Sequence, residues 1–207
     1  MRTHSIKLLL LSLLFVVSVF FSLTSEFPKQ QLLQHLGTLL VSSILLFDLK
    51  TKRLSLPSFI GVFLFILLHV IGARWIYSFV PYQSFFGSFG IDLHELLKLN
   101  THRNHYDRFV HFSFGVLMFP YVYEVFKHRV KNSMLCLLLG WLSIQSFSMI
   151  YEVFEWLLTV LISGEAATDY NGQQGDIWDA QKDMALAMIG SSLVSIVYLY
   201  KQLKRPK

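Results

Sequence analysis

Six apolar stretches, at residues 6–23, 32–47, 56–70, 109–126, 134–151 and 184–200, run the length of this chain. A helix needs roughly 20 mostly apolar residues to cross a bilayer. In lipid every backbone N–H and C=O must be satisfied internally, so runs of this length are expected as helices rather than strands. The expected fold is all-α: a polytopic transmembrane helical bundle of six spans, filling residues 1–207 as one membrane domain. Composition decides against a soluble alternative. Only 15% of the residues are charged, against about 25% in soluble domains, too few to solvate a globule. Arg2 and Lys7 precede the first run as in a signal peptide. That run is longer than a usual signal core, however, and residues 23–26 lack a small-residue cleavage site, so it is expected as a retained helix.

Basic residues set the orientation. Arg2 and Lys7 precede the first run; Lys50, Lys52 and Arg53 lie between the second and third; Lys127, Arg129 and Lys131 lie between the fourth and fifth. Lys201, Lys204, Arg205 and Lys207 follow the sixth. The alternate segments hold Lys29 alone, then a mixed stretch with Arg74, Lys98, Arg103 and Arg108, then an acidic stretch with Lys182 alone. Short loops rich in Lys and Arg stay in the cytoplasm, so both termini are expected there. The net charge of +5 is spent at the ends of spans, which speaks against a nucleic-acid partner; the phospholipid membrane is the expected one. In the long third loop, residues 91–97 have helical spacing suited to the outer interface, and residues 85–90 suggest a bend.

Acidic and imidazole side chains gather at the opposite end from the basic loops. At about 1.5 Å per helical residue, His69 and His111 each stand ~24 Å from the basic ends of their spans, and Glu152 and Asp183 about 30 and 27 Å from theirs. Ionisable groups at such depth are costly and mark functional sites by default. Asp107 and His111 are four apart and share a helix face, with Arg108 beside it. That pair suits a metal or an acid–base couple, although Asp107 alone also suits a helix start. Glu152 and Glu155 are three apart, placed to share a cation or proton. Asp176, Asp179 and Asp183 form one stripe at i, i+3 and i+7. The candidate metal ligands are therefore His69, Asp107, His111, Asp176, Asp179 and Asp183. The candidate catalytic groups are Glu152 and Glu155 for proton transfer and Arg108 for an anionic headgroup. His35 and Asp48 carry no such signal. The single cysteine, Cys136, excludes a cysteine-rich zinc site; His, Asp and Glu together suit zinc, manganese or iron.

Three stretches in order, 103–112 (RNHYDRFVHF), 151–156 (YEVFEW) and 174–183 (QGDIWDAQKD), with His69 and residues 72–77 and 80–82, resemble the YjdF family of bacterial inner-membrane proteins. The resemblance covers nearly the whole chain and implies an inner membrane of the Gram-negative type. It carries no established activity. At position 74 it implies His in many members, where this chain has Arg.

The residues point first to a metal-dependent hydrolase acting on a lipid or envelope substrate at the outer leaflet, since a metal-activated water and a general base are both available. Proton- or ion-coupled carriage by the same carboxylates and a non-catalytic envelope role are the alternatives. The topology is directly testable. A reporter active only in the cytoplasm is expected to work when fused after Lys207 or within residues 127–131, and a periplasm-only reporter near Asn171. Periplasmic exposure of residues 127–131 would overturn the orientation.

Overall fold

The computed structural model describes residues 2–98, 103–161 and 173–204. Their secondary structure is helical: α1 (Arg2–Leu23), α2 (Pro28–Thr51), α3 (Leu56–Arg74), α4 (Tyr82–Gly87), α5 (Leu93–Leu97), α6 (Tyr106–Lys127), α7 (Ser133–Leu161) and α8 (Asp179–Leu203). Six of these, all but α4 and α5, are long and apolar enough to cross a membrane. Each contains one of the six apolar stretches and most extend past it. The largest excess is in α7, which continues ten residues beyond 151 and carries both glutamates inside the helix. Apolar length underestimates such helices because polar residues at their ends still satisfy the helical hydrogen-bond ladder.

The third loop folds into two short helices. Asp92 caps α5 by accepting from the N–H groups of His94 and Glu95, an Asx cap of the ordinary kind. Those bonds, led by the one from Glu95, hold the Asp92 carboxyl below its usual range. Of the stretch expected as a bend, residues 85–87 end α4 and residues 88–90 turn the chain, with Gly90 at φ 74°; Phe85 and Phe89 are exposed.

The two ends of the bundle are held by different chemistry. At the basic end Lys7 donates to Asp48 (2.6 Å) and to the Leu54 carbonyl (2.7 Å). The other Asp48 oxygen accepts from the Arg53 and Leu54 N–H groups (2.9 and 2.8 Å). This buried pair ties α1 to the α2–α3 turn with its carboxylate fully used. Nearby, Glu124 of α6 accepts from the Ser55 N–H and hydroxyl (2.8 and 2.9 Å), closing the start of α3. The apolar core between the ends is built on Phe59, Val62, Ile66, Phe119 and Ile144. Cys136 is a buried free thiol.

The helix α6 lies at the centre, between α3 and α8, and small residues let it come close to both. A Cβ on Gly115 would strike the Ala187 carbonyl and stand 2.7 Å from the Ser191 nitrogen. A Cβ on Gly190 would strike the Phe112 carbonyl and stand 3.1 Å from the Val116 nitrogen. Backbone therefore meets backbone along α6 and α8, the arrangement that small residues permit in membranes. On the opposite side, a Cβ on Gly61 of α3 would stand 2.5 Å from the Leu117 carbonyl.

Gly115→Ala and Gly190→Ala should each lower thermal stability in detergent by about 1–3 kcal/mol, the usual cost of overpacking. Gly140→Ala is the contrast. Its Cβ would stand 3.4 Å from the Phe119 ring and 3.7 Å from the Tyr123 Cα, ordinary contact distances, and helix propensity favours alanine by up to about 1 kcal/mol. Following folded monomer after heating checks this; equal loss in all three variants would contradict the close α6–α8 contact.

Candidate metal centre at the acidic end of the bundle

The α6–α8 contact runs in parallel, pairing Gly115 with Ala187. One turn back along each helix are His111 and Asp183, and one further turn back are Asp107 and Asp179. The packing that requires glycine thus also stacks these four side chains in facing pairs. The segments entering the two helices are clipped together. The Asn104 N–H donates to the Gln174 side chain (2.8 Å), which donates back to the Asn104 carbonyl (3.1 Å). Arg103 donates to the Gln173 carbonyl (2.5 Å). Gln174 and Gly175 have φ of 47° and 82°, left-handed values that reverse the chain just ahead of Asp176 and α8.

Asp107, His111 and Asp183 each offer a ligand atom within 4.8 Å of the other two. The His111 Nε2 stands 3.6 Å from an Asp107 oxygen and 3.5 Å from an oxygen of Glu152 on α7. Ligand atoms about 2.1 Å from one tetrahedral metal stand ~3.4 Å apart, close to the His111–Asp107 separation already present, so ligation would draw the widest pair together by up to about 1.4 Å. Asp183 is 2% exposed and Glu152 7%; one oxygen of each, Asp183 Oδ1 and Glu152 Oε1, is buried without a hydrogen-bond donor. Glu155, one turn along α7, interacts with the Tyr151 side chain and lies within electrostatic reach of Asp107, Glu152 and Asp183.

The other sequence candidates are placed elsewhere or otherwise engaged. Asp179 is ion-paired with Arg103 and lies 3.6 Å from Arg108. Asp176 precedes α8 rather than lying on it, and pairs with Arg108 and with Lys182 (2.6 Å). The Lys182 bond, aided by the Trp178 N–H and by Arg108, holds the Asp176 carboxyl down at about 2. The three aspartates expected as one stripe thus divide: two meet arginines, and Asp183 meets the imidazole. The Arg108 guanidinium, expected at a headgroup, lies between two aspartates. His69 faces the other side of the bundle, with Nδ1 2.5 Å from the Tyr77 hydroxyl and Nε2 3.0 Å from the Gln34 carbonyl.

Sequence reasoning passed over Arg103, although it lies in the richest polar stretch; it falls before the helix, where spacing assigns no face. Asp48 was also passed over, because a carboxylate beside a basic loop looks solvated until Lys7 is brought to it. His35 lies 3.0 Å from the Ser22 hydroxyl.

Six carboxylates (Asp107, Glu152, Glu155, Asp176, Asp179 and Asp183) thus gather with three cations, Arg103, Arg108 and Lys182, among the described residues. Fully ionised, the set carries a formal excess of three negative charges. Charges in a low-dielectric layer repel strongly unless protons or a cation intervene, and an imidazole among carboxylates is a transition-metal donor set.

Comparison with known proteins follows the same boundaries. The family described as "Predicted membrane protein (DUF2238)" matches residues 6–205. The inner membrane protein YjdF of Escherichia coli (strain K12) is 26% identical over 203 residues, covering 95% of this chain and 92% of that protein. No solved structure matches. A match across all six membrane-length helices places the chain in the DUF2238 family, as a multi-pass protein of the inner membrane.

Proposed function

We propose that the protein is a metal-dependent inner-membrane enzyme, with a divalent transition metal (zinc, manganese or iron) held by Asp107, His111 and Asp183. The carrying observation is the buried, undonated Oδ1 of Asp183 beside a second carboxylate and an imidazole. A buried carboxylate oxygen without a donor costs free energy unless something electropositive meets it. Three protein ligands also leave a coordination position open to water, the pattern of catalytic rather than structural sites.

Hydrolysis is the reaction this donor set supports best. A bound metal would supply a water acidic enough to ionise near neutral pH. Glu152, on α7 across from His111, would serve as the proton acceptor there, and Glu155 would relay the proton. Arg103 and Arg108 hold Asp179 and Asp176, which fixes the start of α8 and hence Asp183; they act as positioning residues. If the acidic end faces the periplasm, as the basic loops of the other end argue, the substrate is a lipid or envelope component reaching the outer leaflet. Proton carriage by the same carboxylates is the competing reading, and the metal decides between them.

Protein purified in detergent should retain about one transition metal per chain, measured by elemental mass spectrometry, and lose thermal stability to chelator. His111→Ala and Asp183→Asn should weaken retention by at least about 10–100-fold, while His69→Ala and Asp176→Asn retain the metal. Glu152→Gln should keep the metal and lose turnover. A wild type indifferent to chelator, with Asp183→Asn more stable than wild type, would leave an acidic patch sharing protons and sink the hydrolase.

A further inference from the structure

A second buried polar group lies away from the carboxylates, where α2 and α3 meet at the acidic end. Arg74, in the last turn of α3, is 9% exposed, and its Nη1 is buried without a hydrogen-bond acceptor. Among the described residues no carboxylate pairs with it; its guanidinium carbon lies 5.1 Å from the centre of the Trp75 ring. Gln31, in the first turn of α2, is 2% exposed, and its Nε2 is likewise buried without an acceptor.

Two buried N–H groups without an acceptor among the described residues, one of them on a charged side chain, are an unusual combination. An unpaired buried charge is strongly destabilising, and an arginine at a membrane boundary ordinarily extends its head to the water or headgroups. Here one nitrogen of the head, Nη1, is buried without an acceptor while the residue as a whole stays 9% exposed. The cation–π contact covers one face of the guanidinium, and the N–H groups in its plane remain for an acceptor.

Both donors lie toward the acidic end of the α2–α3 contact. The His69–Gln34 contact (3.0 Å) fixes the register of α2 against α3. The two helices run antiparallel, so Gln31 lies about 4.5 Å and Arg74 about 7.5 Å beyond that contact along the axis, both toward the acidic end. Trp75 packs edge-on against Phe21 of α1 (ring centroids 5.6 Å), which brings the end of α1 alongside. The start of α2 has no side-chain cap, so the partial positive charge of its first turn is not met by its own N-cap residue.

We propose that Arg74 and Gln31 are the donor pair of an anion-binding site of the phosphate class between the ends of α1, α2 and α3, filled from the adjacent leaflet by the phosphate of a phospholipid headgroup. The site is independent of the metal centre: it shares no residue with it and stands or falls separately. A planar guanidinium takes a phosphate through paired N–H bonds, and the glutamine amide adds a neutral donor. Bound lipid would staple α1 and α2 to α3, the helix that packs on α6.

The test uses full-length protein stripped of lipid and heated in mixed micelles with phosphatidylglycerol, with diacylglycerol of the same chains, or with inorganic phosphate. Wild type should be stabilised by phosphatidylglycerol and not by diacylglycerol. Arg74→Gln and Gln31→Leu should each need at least about tenfold more phosphatidylglycerol for the same effect. Stripped Arg74→Gln should melt no lower than stripped wild type, because its unpaired charge is gone. Stabilisation by inorganic phosphate instead, lost in the same variants, would support the site and assign it a free anion. Equal response to diacylglycerol and phosphatidylglycerol would overturn the site. So would undiminished responses in both variants, or a loss of stability in Arg74→Gln of the same size with and without lipid.

Discussion

The close approach of α6 and α8 is the constraint on which the rest of the structure depends. Gly115 and Gly190 leave no room for a Cβ between the two backbones, so the helices can neither separate nor slide without losing that fit. Because they run in parallel, the register that seats Gly115 on Ala187 also sets His111 beside Asp183 and Asp107 beside Asp179. Side-chain chemistry at the acidic end follows from a backbone contact one turn away. The clips between residues 103–104 and 173–174 hold the same register from outside the helices.

The two ends resolve buried charge in different ways. Asp48 at the basic end is satisfied several times over, by Lys7 and two backbone N–H groups. That is the configuration in which a buried ion pair is tolerated. At the other end Arg103, Arg108 and Lys182 pair directly with Asp176 and Asp179, while Asp107, Asp183 and Glu152 gather around one imidazole. A bundle able to neutralise Asp48 so completely has the means to do the same elsewhere. The carboxylate excess therefore calls for shared protons or a bound cation, and the proposed metal centre is the second of these. Arg74 and Gln31 are its counterpart of opposite sign: donors without acceptors, as Asp183 is an acceptor without a donor.

The six spans were legible because apolar length is a one-dimensional property. Level along the helices was legible too: rise per residue set His111, Glu152 and Asp183 together, and the structure gathers them. Lateral position was not, since depth says nothing about which neighbour a residue faces. His69 was set at the same level but faces α2, where the Gln34 carbonyl and Tyr77 take both ring nitrogens. Asp176 fits the stripe by spacing, yet the helix begins only at Asp179 and the turn at Gly175 re-aims it. The Asp107–His111 pair survives the transfer to three dimensions because i, i+4 spacing within one helix needs no partner element. Asp183 joins it only through the glycine contact, whose significance emerges when α6 and α8 are seen together.

Anomalous scattering from crystals grown with zinc or manganese tests the central claim most directly. The account predicts one strong peak at the acidic end of the bundle, bonded at about 2.0–2.2 Å to an imidazole nitrogen of His111 and to carboxylate oxygens of Asp107 and Asp183. A peak at His69 instead, or none within bonding distance of His111 in well-ordered crystals, would contradict it.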